Sequence, residues 1–568
     1  MRLAVMIAAM AALGALGAAR PAPVEYSLAP VFEGDALKAV AVEVRFVGEA
    51  DGDTRVRLPN DWGGETELYR HLSPVAAEGG EATVESPGVL LIRHGKHARI
   101  TLRYQVANGY PGDPPAGNPY RPVIRPAWFH LLGEAVFAEP EDRYQAPARF
   151  RWRDWPKDWT IASDLDHGGG RRLQVGDVLQ SVSVGGPDFR IVTRPIDGGS
   201  VRLAMRGQWD FTPDRFADLV SSVLDAQRRF WGDKKGPYFV TLIPTDGALT
   251  QVSIGGTGRG DAFAMFATAN ATDSALRYVI AHEHIHTWVP RALGRMPKED
   301  EAGSYWFSEG FTDFYTYRTL LRTGVWSLED FARYANESLL AYEVSPVRAE
   351  PNSRILKDFW TNAQVGKLPY QRGMLLAFYW DAKIRTATNG AKDLDDVVFL
   401  MRRWREAAKT SDEVGYVREA FAKAMNEVAG LDVAQDYARY VDAGEPVVLP
   451  ADLFGTCARI ASENRRVFER GWDPEATSKA GNVVTGLKTD SPAYAAGLRE
   501  GMKIVRREAG VVGDARIEYA VRIKEGDGER VIRFMPEGKG NFAAREIVIA
   551  PSLDETARKA CAARIGGA

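Results

Sequence analysis

Apolar residues occupy alternate positions in two early stretches, Val40, Val42, Val44 and Phe46, then Ile100, Leu102, Tyr104 and Val106. Successive side chains of a strand point to opposite faces, so each stretch predicts a strand with one buried face. Similar runs, separated by Gly and Pro clusters, continue from Val24 to about Gly207 and predict a β-rich N-terminal domain over 24–207. Pro111, Pro114, Pro115 and Pro119 remove backbone donors and block helical turns, which places 110–119 in an extended surface loop. The run 150–159 carries Trp152, Trp155 and Trp159; packing against a sheet or a neighbouring domain accounts for it better than a carbohydrate platform.

Near Phe211 the period changes. Phe216, Leu219, Val220, Val223, Leu224 and Phe230 recur at helical spacing and predict an amphipathic helix over 214–231. A strand over 238–243 follows, then a glycine-rich turn over 254–261, a second strand over 262–267 and a helix from about Asp273. The glycine run lacks the Gly-Lys-Ser/Thr ending of a phosphate loop and leads into a strand; at Gly256 an extended peptide can approach a strand edge. Further helices are predicted from Trp306 and over 370–386, 394–408, 414–429 and 433–441. The helical domain spans 208–445, 446–454 reads as a linker, and 455–568 as a small β-rich module whose short helix, from Ser491, is closed by glycine.

Chemistry concentrates in the helix after Asp273. His282-Glu283-His284-Ile285-His286 has the spacing H-E-x-x-H, and residues four apart share a helix face, so His282 and His286 can offer nitrogen to one metal ion. Glu283 stands beside that face as a base for an attacking water. His284 falls about 200° round the helix from each ligand candidate and is assigned to packing or surface. Two imidazoles favour a borderline-soft dication, zinc, and call for a third ligand with one position left open. Glu309 is that ligand, and Asp313, four residues on, shares its face and accepts from the second ring nitrogen of a ligand histidine, here assigned to His282. Tyr370 stands where its hydroxyl either packs or donates to an oxyanion.

The 568 residues exceed one hydrophobic core and imply several domains. With 72 basic and 75 acidic side chains the formal charge is -3, which gives no footing for nucleic acid. Residues 1–19 combine Arg2, an apolar run and the small residues Gly17, Ala18 and Ala19, and predict a secretory signal peptide; no later run is long enough to span a membrane. The expected compartment is periplasmic or extracellular. Cys457 and Cys561 flank the last hundred residues and either close a disulfide there or remain two thiols.

His282-Glu283-x-x-His286-Thr287-Trp288, followed by Trp306-Phe-Ser-Glu309-Gly-Phe-Thr-Asp-Phe-Tyr315, resembles the glycyl aminopeptidase family of gluzincin zinc metallopeptidases. The 22 residues from Thr287 through Ser308 fit this family better than its leucyl-type relatives. The resemblance implies a multidomain α+β chain: a β-sandwich-like N-terminal domain, a thermolysin-like, mostly helical catalytic domain and a C-terminal PDZ-like β domain. Residues 491–501 are similar to the PDZ helix and turn, with Met502 where aspartate is usual. Tyr370-Gln-Arg-Gly373 matches the family's Tyr-x-x-Gly, which implies a transition-state role for Tyr370. The family's glycine-rich strand carries a glutamate that captures the substrate's amine; 254–263 has none, and Asp261 is the available substitute. The implied activity is zinc-dependent hydrolysis of peptides, as an aminopeptidase on small or unfolded peptides. The alternative is a non-catalytic peptide-binding or quality-control protein that works through its PDZ-like module.

Overall fold

The computed structural model describes residues 22–166, 172–233, 236–246, 252–297, 299–408 and 413–567. The expected signal peptide lies outside them. The chain packs as two units, one holding the residues up to Pro115 with Pro119–Arg190 and Arg259–Ala262, the other Ala116–Asn118, Ile191–Gly258 and Phe263–Ala568.

In the first unit the two alternating stretches are neighbouring antiparallel strands, Ala36–Val47 and Arg99–Ala107. Their register sets Val40 opposite Val106, Val42 opposite Tyr104, Val44 opposite Leu102 and Phe46 opposite Ile100. All eight are buried. Val56, Leu90 and Ile92, from the strands Asp53–Arg57 and Val89–His94 of a second sheet, enter the same core. Burying both apolar faces against each other is what makes each alternation stable in water. The tryptophans also serve this core: Trp155 lies 4.7 Å from Phe129, ring centre to ring centre, and donates its indole N–H to the Leu28 carbonyl at 3.0 Å.

The second unit opens with a five-stranded sheet, in the order Arg190–Ile196, Gly199–Met205, Tyr238–Thr245, Ala262–Thr268, Ile254–Arg259. The two strands before Gly207 therefore belong to this sheet, and packing divides the chain near Arg190, ahead of the expected boundary. The glycine-rich run, expected as a turn, is the edge strand Ile254–Arg259. Its start is pinned by Thr268 N–H donating to the Ser253 carbonyl at 2.9 Å and Ser253 N–H donating to Thr268 Oγ1 at 3.0 Å.

Helices cover the rest up to Asp442. Pro213–Trp231 is capped by Thr212, whose side chain accepts from Arg215 N–H, and is closed by left-handed Gly232. Helices Leu328–Glu343 and Asn352–Asp358 also occur, and the helix expected to begin at Tyr370 begins earlier, as Ala363–Ala387, with Pro369 inside it. Residues 446–454, expected as a linker, are partly buried: Val447 and Leu449 sit in the core, and Val447 N–H donates to the Tyr342 hydroxyl at 3.1 Å.

Beyond this, the long strands Ala458–Phe468 and Glu537–Ile549 pair antiparallel and flank a three-stranded sheet. Trp472, Val484, Leu498, Tyr519, Val521 and Ile532 form a separate small core there. Pro492–Ala495 is the expected short helix, with Ser491 Oγ accepting from Tyr494 N–H at 3.2 Å. Cys457 and Cys561 are joined in a disulfide, which ties the last helix, Glu555–Gly566, to the start of this region. Among the described residues no helix is long and apolar enough to cross a membrane.

Candidate metal centre

The histidine helix, Asp273–Ile285, starts at a Thr272 cap, where Thr272 Oγ1 accepts from Ala275 N–H at 3.3 Å, and ends with His286 as its C-cap. His284 faces away from His282 and His286, as its helical position demands. It is buried between Tyr238 and Trp288, and Gln227 Oε1 lies 2.6 Å from its Nδ1. Gln227 also donates from Nε2 to the Ala281 carbonyl at 2.8 Å, so its oxygen is left to accept a hydrogen bond from the His284 ring N–H.

Helix Tyr305–Arg322 crosses this one and delivers two carboxylates. His282 Nε2 lies 3.4 Å and His286 Nε2 3.5 Å from the same oxygen, Glu309 Oε2, and one donor atom from each residue falls within 4.8 Å of the others. The remaining ring nitrogens are already engaged. His282 Nδ1 is 2.8 Å from Asp313 Oδ1, and His286 Nδ1 is 2.9 Å from the Val289 carbonyl, both acceptors only. Each Nδ1 therefore carries the proton in a neutral ring, and each Nε2 lone pair faces the shared point. Tyr278 donates its hydroxyl to Asp313 Oδ1, which fixes that carboxylate in turn.

These residues fit a zinc ion. Two donors each about 2.0–2.2 Å from a tetrahedral ion lie about 3.3–3.6 Å apart, the spacing found here. The electrostatics agree. Burial opposes charge on His282, yet hydrogen bonds to Asp313 and Glu309 outweigh it and hold its pKa well above the ordinary imidazole value. Burial pushes Glu309 upward, but His286 and His282 overcome this and hold its carboxyl far below the carboxylate range. The site is built for positive charge.

Tyr370 reaches the centre on helix Ala363–Ala387, its ring stacked 5.9 Å from that of His282. A β-carbon built on Gly373 would lie 2.8 Å from the Cα of Gly310, closer than real side chains come. Only glycine at both positions lets the two helices meet backbone to backbone. Burial first, then Glu309, Asp313 and Glu283, raise the Tyr370 hydroxyl well above its ordinary pKa, so it keeps its proton.

A pocket of about 410 Å³ opens on the centre, lined among others by Thr257, Gly258, Glu283, His286, Tyr305 and Glu309. A β-carbon on Gly258 would come 3.7 Å from Glu283 Oε2, so the edge strand passes directly beside this carboxylate. Burial raises the Glu283 pKa, while His286 and His282 pull it down.

The family model for M61 glycyl aminopeptidase matches residues 275–364, the span that holds both histidines, Glu283, Glu309 and Asp313. This segment belongs to the M61 glycyl aminopeptidase family. In fold the chain is similar to an aminopeptidase N family protein from Idiomarina loihiensis, 15% identical, over 95% of this chain and 99% of that one, with a TM-score of 0.67. An M1 zinc metallopeptidase from Deinococcus radiodurans is 15% identical over 75% of this chain and 94% of its own, with a TM-score of 0.47. No curated protein matches the chain.

Two expected substrate-binding residues, Gly256 and Asp261, are not among the residues that line this pocket. A β-carbon on Gly256 would overlap the Phe263 ring, so that glycine serves strand packing, and Gly258 is the one that lines the pocket. Asp261 sits in the turn after the edge strand and is not among the pocket's lining residues. The chain pattern also gave no warning of Glu301, Tyr305 and Arg291, which do line it. Glu301 and Tyr305 stand just ahead of the Glu309 helix, a position that could have drawn attention to them.

Proposed function

We propose that this protein is an exported zinc-dependent peptidase, acting as an aminopeptidase on small or unfolded peptides. The observation that carries this reading is the convergence of His282 Nε2, His286 Nε2 and one oxygen of Glu309. These three residues would hold the zinc ion, which when bound supplies Lewis-acid chemistry that polarises a carbonyl and acidifies water.

The remaining steps belong to the chain. Glu283, beside the ligand histidines in the pocket wall, takes a proton from the attacking water and passes it to the leaving nitrogen. Tyr370, kept protonated, donates to the oxygen that gains charge as the peptide carbonyl becomes tetrahedral, where loss of one donor costs about 2.7–4 kcal/mol of barrier. Asp313 holds His282 in the tautomer that leaves Nε2 free. The edge strand at Gly258 offers an extended substrate a backbone to pair with, close to Glu283.

In the same reading the N-terminal β domain ends near Arg190, where packing divides the chain, the thermolysin-like domain follows as far as 445, and 455–568 contain a PDZ-like module, supported by the separate core around Trp472, Tyr519 and Phe534. Export to a periplasmic or extracellular compartment is supported by the disulfide.

Metal analysis of the purified chain together with hydrolysis of a peptide library tests the proposal. Zinc bound at equimolar level and cleavage abolished by chelation and restored by zinc are the expected results. Cleavage that survives complete metal removal overturns it.

A further inference from the structure

The first sheet of the N-terminal unit has a second face, opposite the core. On its strands Val24–Glu33, Ala36–Val47 and Arg99–Ala107, the residues that alternate with the core set include Ser27, Ala29, Ala41, Glu43, Arg103 and Gln105. Their register sets Ser27 opposite Glu43 and Glu43 opposite Arg103, with Ala29, Ala41 and Gln105 in the next row. The short side chains at Ser27, Ala29 and Ala41 leave a cavity of about 320 Å³, lined also by Glu43, Arg103 and Arg153. Two of its polar groups are buried. Glu43, 8% exposed, is one negative charge among three guanidiniums: Arg103 Nε donates to its Oε2 at 2.8 Å, while Arg153 Nη1 and Arg45 Nη2 lie 3.1 and 2.8 Å from its Oε1. A single carboxylate cannot balance three cations. Arg103 also meets Glu78, but that side chain is 70% exposed, where a pairing is worth little. Ser27, 4% exposed, makes no side-chain hydrogen bond among the described residues and lines the same cavity.

We propose that this cavity is an oxyanion site that takes a small carboxylate, held by the guanidiniums of Arg103 and Arg153 and by the Ser27 hydroxyl. Each guanidinium carries five N–H donors in a planar fork, and Glu43 engages only one from each, so donors remain for a second anion. Glu43 also preorganises the pair. Arg103 and Arg153 approach its two oxygens from different sides, which keeps two like charges close together before any ligand arrives. The buried Ser27 hydroxyl supplies a neutral donor that folding has left unused, and such a donor gains most from a charged acceptor. Ala29 and Ala41 give an apolar floor, which suits the carbon atoms beside a carboxylate better than a fully hydrated inorganic ion. The formal charge of the whole chain is -3, so the positive surplus here is local. Every lining residue lies in the first unit, and the inference stands independently of the peptidase reading.

Calorimetric titration of the full-length chain with N-acetylalanine, its uncharged amide and inorganic phosphate tests the site. Saturable binding of N-acetylalanine, tighter than that of phosphate and absent for the amide, is the expected result. Arg153→Gln removes one guanidinium and leaves Glu43 paired with Arg45 and Arg103; it should weaken N-acetylalanine about tenfold. Ser27→Ala removes one neutral donor and no charge, and should also weaken it about tenfold. These two losses assign the binding to the cavity, since a carboxylate held at the metal centre would be indifferent to both variants. A wild type that takes phosphate more tightly, with the same losses, upholds the oxyanion site and names phosphate as its source. No binding of either anion by the wild type, or affinities unchanged in both variants, overturns the proposal. Should Arg153→Gln fail to fold by circular dichroism, Ser27→Ala decides alone, and an unchanged affinity there is equally fatal.

Discussion

Gly310 and Gly373 touch: a β-carbon on Gly373 would stand 2.8 Å from the Gly310 Cα, and one on Gly310 2.7 Å from the backbone nitrogen of Met374. Glu309 and Tyr370 flank this crossing, one residue and three residues away, so the contact sets how far the hydroxyl lies from the metal ligands. Gly373→Ala would gain about 1 kcal/mol in an open helix, but here the overlap is with backbone, which cannot rotate away. The expected outcome is a net loss of about 1–3 kcal/mol and a lower kcat, read from denaturant midpoints and peptide hydrolysis. Wild-type values for both would detach Tyr370's placement from the crossing.

Glu283→Gln preserves shape and removes the base. Bound zinc should be unchanged while turnover falls about 10²–10⁴-fold, by elemental analysis and steady-state kinetics. Peptide cleavage at the wild-type rate refutes the role.

Asp313 accepts from His282 and receives the Tyr278 hydroxyl. Asp313→Asn loses the charge that fixes the ring, and zinc affinity should fall about 10–100-fold in a chelator competition. The result that speaks against this is unaltered affinity in a folded variant.

The disulfide closes a loop across a sequence separation of 104. Chain-entropy arguments assign such a loop about 4.7 kcal/mol, and native disulfides commonly contribute about 2–5. Replacing Cys457 and Cys561 with alanine should lower stability within that range, and reductant should destabilise only the wild type. Equal denaturation curves for the two would show the cross-link to be energetically silent.

Asp164 is buried, and desolvation pushes its pKa up to about 7, although Val182 N–H donates to Oδ1 at 2.8 Å. In the unfolded chain its pKa is about 3.9, so between about pH 4 and 7 the folded state keeps a proton that the unfolded state has lost. Stability from this group is therefore full below about pH 4 and declines as pH rises to about 7. Thermal midpoints of wild type and Asp164→Asn should shift relative to each other across that window, the wild type losing ground as pH rises. A gap independent of pH would discount the buried titration.

Much of this was legible along the chain. The alternation at Val40–Phe46 and Ile100–Val106 foretold not only two strands but two buried faces, because period two leaves no other side for the apolar set. The H-E-x-x-H spacing placed both histidines on one helical face for a similar reason. The edge strand Ile254–Arg259 was missed because glycine carries no propensity for strands; only its sheet neighbour gives it that form. The helix Leu328–Glu343 announces itself with Ser327 and Asp330 in a capping box, a signal present in the sequence but overlooked.

Local order, then, was determined by the chain itself: which residues share a helix face, where helices start, which segment carries the metal ligands. Distances across the fold were decided only by tertiary packing. That Glu309 meets His282 and His286, that two glycines admit Tyr370, and that Glu301 lines the same pocket depend on helices far apart in sequence settling against one another. Periodicity fixes directions within one element, but the depth and angle at which elements cross follow from side-chain volumes on both, which no single stretch contains.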